Sequence, residues 1–133
     1  MKKILIVDDQ MTIRQLLEIS LRAKDRKIFL AASGEEALEV ARNRKLDLVI
    51  MDLMMPGGMD GFETIERLRK DVGISDCSVL ILTAKDQEAE RRRAEEMMVD
   101  EFLTKPFKLE DLYSRVDRLL DRKNRFEMPH QGV

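Results

Sequence analysis

Short apolar runs alternate along the chain with longer segments in which apolar residues recur at helical spacing, and this alternation occurs five times. Such alternation is typical of a parallel sheet covered by helices on both faces. The runs predict strands at Lys3–Val7, Lys27–Ala31, Leu48–Met51, Val79–Leu82 and Glu101–Leu103. The first, third and fourth runs are continuously apolar, as central strands buried on both faces should be, so the second and fifth are predicted to be the edges.

Five helices are predicted from the intervening segments. Ser33 and Glu36 have the spacing of a capping box for the second helix, and Asp60 with Glu63 repeats that pattern for the third. The first helix is predicted over residues 11–24, the fourth over 86–98 and the fifth over 109–123. The fourth is mostly charged, which predicts a weakly anchored, solvated helix. Residues 124–133 lack periodicity and are predicted to be a mobile tail or the start of a linker.

Length, charge and residue counts exclude several classes of protein. The chain has 133 residues, which fits one domain, and a net charge of −2, so no global field would attract nucleic acid or an anionic membrane. No apolar run approaches the roughly 18 residues of a membrane span, and the start lacks a signal peptide, so we expect a cytoplasmic location. Cys77 and His130 each occur alone, which argues against a disulfide and a hydrolytic triad.

Polar side chains follow four of the predicted strands. They are Asp8 and Asp9 after the first strand, Asp52 after the third, Thr83 after the fourth, and Lys105-Pro106 after the fifth. In an open parallel sheet, ligands bind beyond the carboxyl ends of the strands, so these side chains are expected to converge. Taken alone, Asp8 and Asp9 would fit a helix-capping turn equally well, and Asp52 a loop. Together they repel one another, and Lys105 or a metal ion would offset that repulsion.

The ligand chemistry of this edge favours a hard cation. Oxygen ligands with no histidine or cysteine nearby suit Mg²⁺, with Mn²⁺ as an alternative. The sequence contains no glycine-rich phosphate loop and no dinucleotide fingerprint, so a nucleotide is not the expected source of phosphate. The pattern therefore predicts a site for a divalent metal and a phosphoryl group.

In order, spacing and strand context, these residues resemble the receiver domains of two-component response regulators, and the resemblance covers residues 2–123. It implies an α/β fold with a doubly wound, five-stranded, flavodoxin-like parallel sheet of order 2-1-3-4-5 and five helices, forming one receiver domain over residues 1–123. The implied site residues are Asp52 as phosphoacceptor, Asp8, Asp9, Asp52 and the Met54 main-chain carbonyl for the metal, Thr83, Ala84 and Lys105 for the phosphoryl group, Thr83 and Phe102 for switching, and a cis Lys105–Pro106 bond.

The function implied by the resemblance is a phosphorylation-dependent signalling switch. Asp52 would accept a phosphoryl group from a sensor histidine kinase or a histidine phosphotransfer protein with Mg²⁺ and would lose it slowly to water. Catalysis would be confined to the domain's own modification, so we do not expect an enzyme. The output would pass to a downstream protein or an effector domain outside this chain, without direct DNA binding. The implied fold is also compatible with a homodimer through helix four, strand five and helix five.

Two alternatives to this function remain. One is a pseudo-receiver that binds partners without being phosphorylated, which the complete set of site residues disfavours. The other is a Mg²⁺-dependent aspartyl-phosphate hydrolase; such enzymes usually have two aspartates spaced Asp-x-Asp after the first strand, whereas Asp8 and Asp9 are adjacent.

Two positions depart from the family pattern. Gly57-Gly58 makes the loop before the third helix one residue longer than usual, so the position of that loop is expected to differ from the family pattern. Met98 stands where the family commonly has glycine, and methionine tolerates positive φ poorly, so the end of the fourth helix is expected to change. Met97 and Met98 are expected to fill the core or, as an alternative, to form an adaptable partner surface.

Overall fold

The computed structural model describes residues 1–74 and 76–127. Its elements are β1 (Lys2–Val7), α1 (Met11–Leu21), β2 (Arg26–Ala31), α2 (Gly34–Ala41), β3 (Leu48–Met51), α3 (Gly61–Arg67) followed by a π-helical turn (Leu68–Val72), β4 (Ser78–Thr83), α4 (Glu88–Glu96), β5 (Glu101–Thr104) and α5 (Leu109–Glu127). The strands form one parallel sheet of order β2-β1-β3-β4-β5, which confirms the predicted flavodoxin-like fold. Across the described ranges, no helix combines the length and apolar character needed to cross a membrane.

The sheet separates two apolar cores, because alternate residues of each central strand point to opposite faces. Helices α1 and α5 cover one face and bury Leu17 and Leu112 there. Helices α2, α3 and α4 cover the other face, where Ile65 and Ala94 are buried. Since both faces are packed, the carboxyl ends of the strands are held as a fixed edge.

Side-chain caps explain where α2 and α3 begin. The Ser33 hydroxyl accepts the Glu36 N–H at 3.1 Å, and the Asp60 carboxylate accepts the Glu63 N–H at 2.9 Å. The expected reciprocal bond of the first box is displaced by one residue, because the Glu36 carboxylate accepts the N–H of Ala32. Both predicted helix starts are thereby confirmed.

The fourth and fifth helices have bounds that differ from the predicted ones. Asp86 was expected to start α4, but the capping position is Gln87, which makes no side-chain capping bond. Helix α5 continues through residue 127, because its arginines, lysine and glutamate favour helix even without apolar periodicity. Residues 124–127 are therefore helical, whereas the predicted tail begins at residue 124. The remainder of that predicted tail, with His130, lies outside the described residues.

The turn after α4 keeps a left-handed residue even though glycine is absent. Val99 N–H bonds to the Ala94 carbonyl at 3.0 Å and Met98 N–H to the Glu95 carbonyl at 2.9 Å, the Schellman pattern. Met98 has φ of 58° and is 81% exposed, so the expectation that it fills the core is wrong. Met97 does pack against the core.

The longer loop before α3 is accommodated by its two glycines. Gly57 has φ of 90°, a conformation that residues with a side chain adopt only with strain. A Cβ on Gly58 would lie 2.9 Å from the Glu35 carboxylate, which also accepts the Met59 N–H at 3.4 Å. The extra residue thus folds the loop against the start of α2.

Candidate functional site

Three carboxylates meet where the strand order reverses. Asp8 and Asp9 follow β1, and Asp52 follows β3, its neighbour in the sheet. One carboxylate oxygen from each residue lies within 4.8 Å of the others. Asp8 and Asp52 are buried, at 2% and 5% exposure, whereas Asp9 is exposed. The predicted convergence of these acids is therefore present, with one side of the cluster open to solvent.

Lys105 supplies a cation inside this cluster. Its Nζ lies 2.7 Å from an Asp8 carboxylate oxygen and 3.2 Å from an Asp52 carboxylate oxygen. The Lys105–Pro106 peptide bond is cis. Because the ammonium touches two buried carboxylates at once, it offsets part of the repulsion between them.

The pKa values of these groups show how the charges balance. Burial raises the pKa of Asp8, and the charge of Asp52 adds to this, although hydrogen bonds from Lys105 and from the Gln10 N–H oppose the rise. Burial alone would lower the pKa of Lys105, but its hydrogen bond to Asp8 and the negative charges of Asp52 and Asp8 outweigh that effect. The pKa of Lys105 is therefore raised and the ammonium stays charged. The raised pKa of Asp8 indicates that Lys105 does not fully compensate for burial and repulsion.

Main-chain contacts fix the two buried aspartates in place. Arg14 of α1 donates to the Asp8 carbonyl at 2.7 Å, and the Met54 N–H donates to the Asp52 carboxylate at 3.0 Å. Gly61 packs so closely behind this loop that a Cβ would lie 2.4 Å from the Asp52 carbonyl oxygen. The sequence analysis did not single out Arg14, because an arginine near the start of a helix carries no distinctive signal.

The residues after β4 line the neighbouring part of the edge. Thr83 is fully buried, and its hydroxyl accepts the Lys85 N–H at 3.2 Å. Ala84 is exposed, and the Met54 side chain is 50% exposed. In this arrangement the Thr83 hydroxyl is bonded within the loop that follows β4. The small Ala84 and the half-exposed Met54 leave the carboxylate cluster accessible from solvent.

Phe102 lies half-buried on β5, at the centre of a network that the sequence analysis missed. The Arg91 guanidinium stands 4.6 Å from the centre of its ring. Arg91 also donates to both carboxylate oxygens of Asp86 and to the Thr104 hydroxyl, which itself donates to Asp86 at 2.9 Å. The hydrogen bond from Arg91 lowers the pKa of Asp86 and raises that of Arg91. Asp86, predicted to begin a helix, instead binds the residue that covers Phe102.

Comparison with known proteins identifies the family. Residues 4–117 match the family model described as the response regulator receiver domain. The chain belongs to this family. A related protein is the alkaline phosphatase synthesis transcriptional regulatory protein PhoP of Bacillus subtilis (strain 168), 38% identical over 121 residues, or 91% of this chain and 49% of that protein. The receiver domain spans about half the length of the curated relatives it matches.

Two solved structures have a similar fold. The chemotaxis protein CheY4 of Vibrio cholerae is 32% identical, with a TM-score of 0.82 over 90% of this chain and 99% of that one. The response regulator TrrA of Thermotoga maritima, solved in complex with Mg²⁺-BeF, is 37% identical, with a TM-score of 0.77 over 90% of this chain and 100% of that one. The receiver domain described above thus shares its architecture with two-component response regulators.

The acids of this receiver domain suit a hard divalent cation. Their donor atoms are oxygens only, one carboxylate oxygen from each of three residues lies within 4.8 Å of the others, and one of the residues is exposed. Mg²⁺ typically takes one or two carboxylates together with waters and phosphate oxygens, so it needs an open side. The donor set and its exposed side therefore fit such an ion.

Proposed function

We propose that this receiver domain is a phosphorylation-dependent switch and that Asp52 is its phosphoacceptor. The observation that supports this most is the contact of Lys105 Nζ with both Asp8 and Asp52. A phosphoryl group on Asp52 would form beside a fixed cation at the open edge of the sheet. Positioned positive charge of this kind is what stabilises a transferring phosphoryl group.

The proposed transfer forms a bond between an Asp52 carboxylate oxygen and phosphorus. The bond from phosphorus to the donor breaks, and its electron pair leaves with the imidazole nitrogen of a phosphohistidine or the acyl oxygen of a small acyl phosphate. Lys105 would hold the charge that develops on the phosphoryl oxygens. The Thr83 hydroxyl and the main chain of Ala84 would bind the same oxygens, and the small Ala84 side chain leaves room for them.

Asp8, Asp9, Asp52 and the main-chain carbonyl of Met54 are the proposed ligands of Mg²⁺, with Mn²⁺ as an alternative. When bound, the metal supplies positive charge against the phosphoryl oxygens. The state of Asp8 supports this assignment. Burial and then the Asp52 charge raise its pKa in spite of Lys105, so further positive charge beside it would favour the ionised carboxylate.

Switching is proposed to begin at Thr83. Its hydroxyl would leave the Lys85 N–H and bond to the phosphoryl group, and the Phe102 ring would turn inward beside it. The acyl phosphate would later be removed by water, so the domain would catalyse only its own phosphorylation and dephosphorylation. The signal is therefore proposed to last as long as the phosphate stays on Asp52.

The proposed phosphoryl donor is a sensor histidine kinase or a histidine phosphotransfer protein. Exposed apolar side chains on α1, including Met11 at 60% and Ile19 at 67% exposure, begin two residues after Asp9 and offer a surface for it. Relatives of about twice this length include transcriptional regulators, so the output is proposed to pass to an effector domain or a separate protein. A homodimer through α4, β5 and α5 remains part of this proposal.

Intact mass after incubation with acetyl phosphate tests the proposed chemistry. We expect one phosphoryl adduct in the presence of Mg²⁺, and no adduct after EDTA treatment or in the Asp52→Asn variant. Asp117→Asn is the matched control, because Asp117 pairs with Arg26 at the opposite end of the sheet, and this variant should still be modified. If the folded protein binds Mg²⁺ and yet gains no adduct, the pseudo-receiver function replaces this one.

A further inference from the structure

Charged side chains connect α4 to the rest of the molecule more than apolar ones do. Glu90 pairs with Lys85 of the preceding loop at 3.6 Å, and further contacts come from arginines. Every residue of α4 is described, and among them only Ala94 is buried. Arg91 covers the ring of Phe102, and on the other side Arg93 stands 4.6 Å from the ring centre of Phe62. Arg92, between them, pairs with exposed Glu88 one turn earlier. Arg91 thus stacks on Phe102 of β5 and Arg93 on Phe62 of α3, whereas Arg92 is exposed to solvent.

We propose that Arg91 is a positioning residue that holds Phe102 in its arrangement in the unphosphorylated domain. This inference rests on the proposed function, because it assumes that Phe102 moves when Asp52 is phosphorylated. The guanidinium covers the ring while its N–H groups are held by Asp86 and Thr104. An inward turn of the ring would remove the aromatic face from this cation and lose the attraction between them.

The position of Asp86 connects this contact to the phosphoryl site. Asp86 lies three residues after Thr83, in the loop that joins β4 to α4. The Thr83 hydroxyl now accepts the N–H of Lys85, the residue beside Asp86. If that hydroxyl turns to a phosphoryl group, one bond that shapes this loop is lost, and Asp86, still bound by Arg91 and Thr104, can shift with the loop. A shift of Asp86 would move the Arg91 guanidinium with it and so weaken its contact with the Phe102 ring.

The chemistry of the contact requires arginine in particular. A guanidinium is planar, so it can stack on a ring while its edge donates to both oxygens of one carboxylate. Lysine would keep the charge but could not do both, so Arg91→Lys should behave almost like Arg91→Ala. A role limited to surface charge would instead be rescued by lysine.

Removal of Arg91 should therefore favour the switched arrangement before any phosphate arrives. A ligand that binds the switched arrangement gains apparent affinity when that arrangement becomes more populated. For exposed cation–π and ion-pair contacts of ordinary strength, we expect the domain to bind beryllofluoride, a phosphoryl analogue, about three- to tenfold more tightly. Mg²⁺ alone should bind with unchanged affinity, because Asp8, Asp9 and Asp52 are not among the residues that Arg91 contacts.

Isothermal titration of beryllofluoride in saturating Mg²⁺ tests this inference with matched variants. Arg91→Ala and Arg91→Lys should both bind more tightly than the unaltered protein. Arg92→Ala removes the same charge from the next position of the same helix and should change little. Asp86→Asn, which weakens the anchor from outside α4, should shift the affinity in the same direction by a smaller factor. Thermal unfolding of each variant confirms that it is folded.

Two failures of this experiment are distinguishable. If the unaltered protein does not bind beryllofluoride, the proposed function is wrong and the role of Arg91 falls with it. If the unaltered protein binds it and Arg91→Ala binds no more tightly than Arg92→Ala, only the role of Arg91 is overturned.

Discussion

Helices α4 and α5 flank the same strand, β5, but different forces hold them. Helix α5 buries four apolar side chains against the sheet, namely Leu112, Val116, Leu119 and Leu120. Helix α4 buries only Ala94. Its charged contacts include those of Arg91 and Arg93 with aromatic rings, the pair of Glu90 with Lys85, and Arg69, which donates to the carbonyls of Met97 and Met98 at its end. The ring of Phe102 packs on the α4 side of the sheet, so it lies against the more weakly attached of the two helices.

Typical interaction energies indicate which of the two helices should open more easily. Burial of one large apolar side chain contributes about 1.5–3 kcal/mol, whereas an exposed ion pair contributes about 0–1 and an exposed cation–π contact about 0.5–1 kcal/mol. Helix α4 should then open locally at a lower free energy than α5. The proposed inward turn of Phe102 would draw on this difference, because the helix beside its ring is the one expected to open more easily.

The largest expected effect comes from removing part of the apolar packing of α5. Leu112 is fully buried, so Leu112→Ala should lower the free energy of unfolding by about 2–5 kcal/mol through lost burial and a residual cavity. Ala94→Gly on α4 removes a buried methyl and lowers helix propensity, and should cost about 1 kcal/mol. Urea unfolding of both variants measures the difference. Similar losses in the two variants would show that α4 is anchored as firmly as α5 and would remove the contrast.

The contrast between the helices was only partly visible in the sequence. The apolar spacing of α5 and the charged composition of α4 predicted which helix would be buried, because burial follows directly from the pattern. The arginine contacts were not predicted, since nothing in the local sequence tells which of Arg91, Arg92 and Arg93 meets a ring. That depends on how the helix is rotated on the sheet, which is set by contacts distant in the chain.

The site residues were easier to predict for a topological reason. Asp8, Asp52 and Lys105 each follow a predicted strand, and parallel strands bring their carboxyl ends to one edge whatever the details of the helices. Arg14 and Asp86 lie in a helix and in a loop, where the direction of a side chain is not fixed by such a rule. The left-handed conformation of Met98 was not predicted, because methionine was expected to change the turn. The turn is kept, and Arg69 donates to the carbonyls of Met97 and Met98 there.

A smaller effect is expected where α4 ends. Met98 adopts φ of 58°, which costs a residue with a side chain about 1 kcal/mol, so Met98→Gly should raise the free energy of unfolding by about that amount. Its side chain is 81% exposed and little packing is lost. Met97→Gly is the matched control and should destabilise the protein, because Met97 has φ of −86° and packs against the core. Urea midpoints that fall in both variants would mean that the turn is not strained.

The smallest expected effect concerns salt. It distinguishes the attachment of α4 from that of α5 without any substitution. Raising sodium chloride from about 0.1 M to about 1 M shortens the Debye length from about 10 Å to about 3 Å and weakens exposed charge contacts. Amide hydrogen exchange in α4 should then become about two- to fivefold faster, after correction for the intrinsic rates, because its anchors are exposed cations. Exchange in α5 should stay unchanged, since its anchors are apolar. Equal protection of α4 at both salt concentrations would show that stacking on Phe62 and Phe102, rather than charge pairing, carries the attachment, and Arg91 would then hold Phe102 by its planar contact alone.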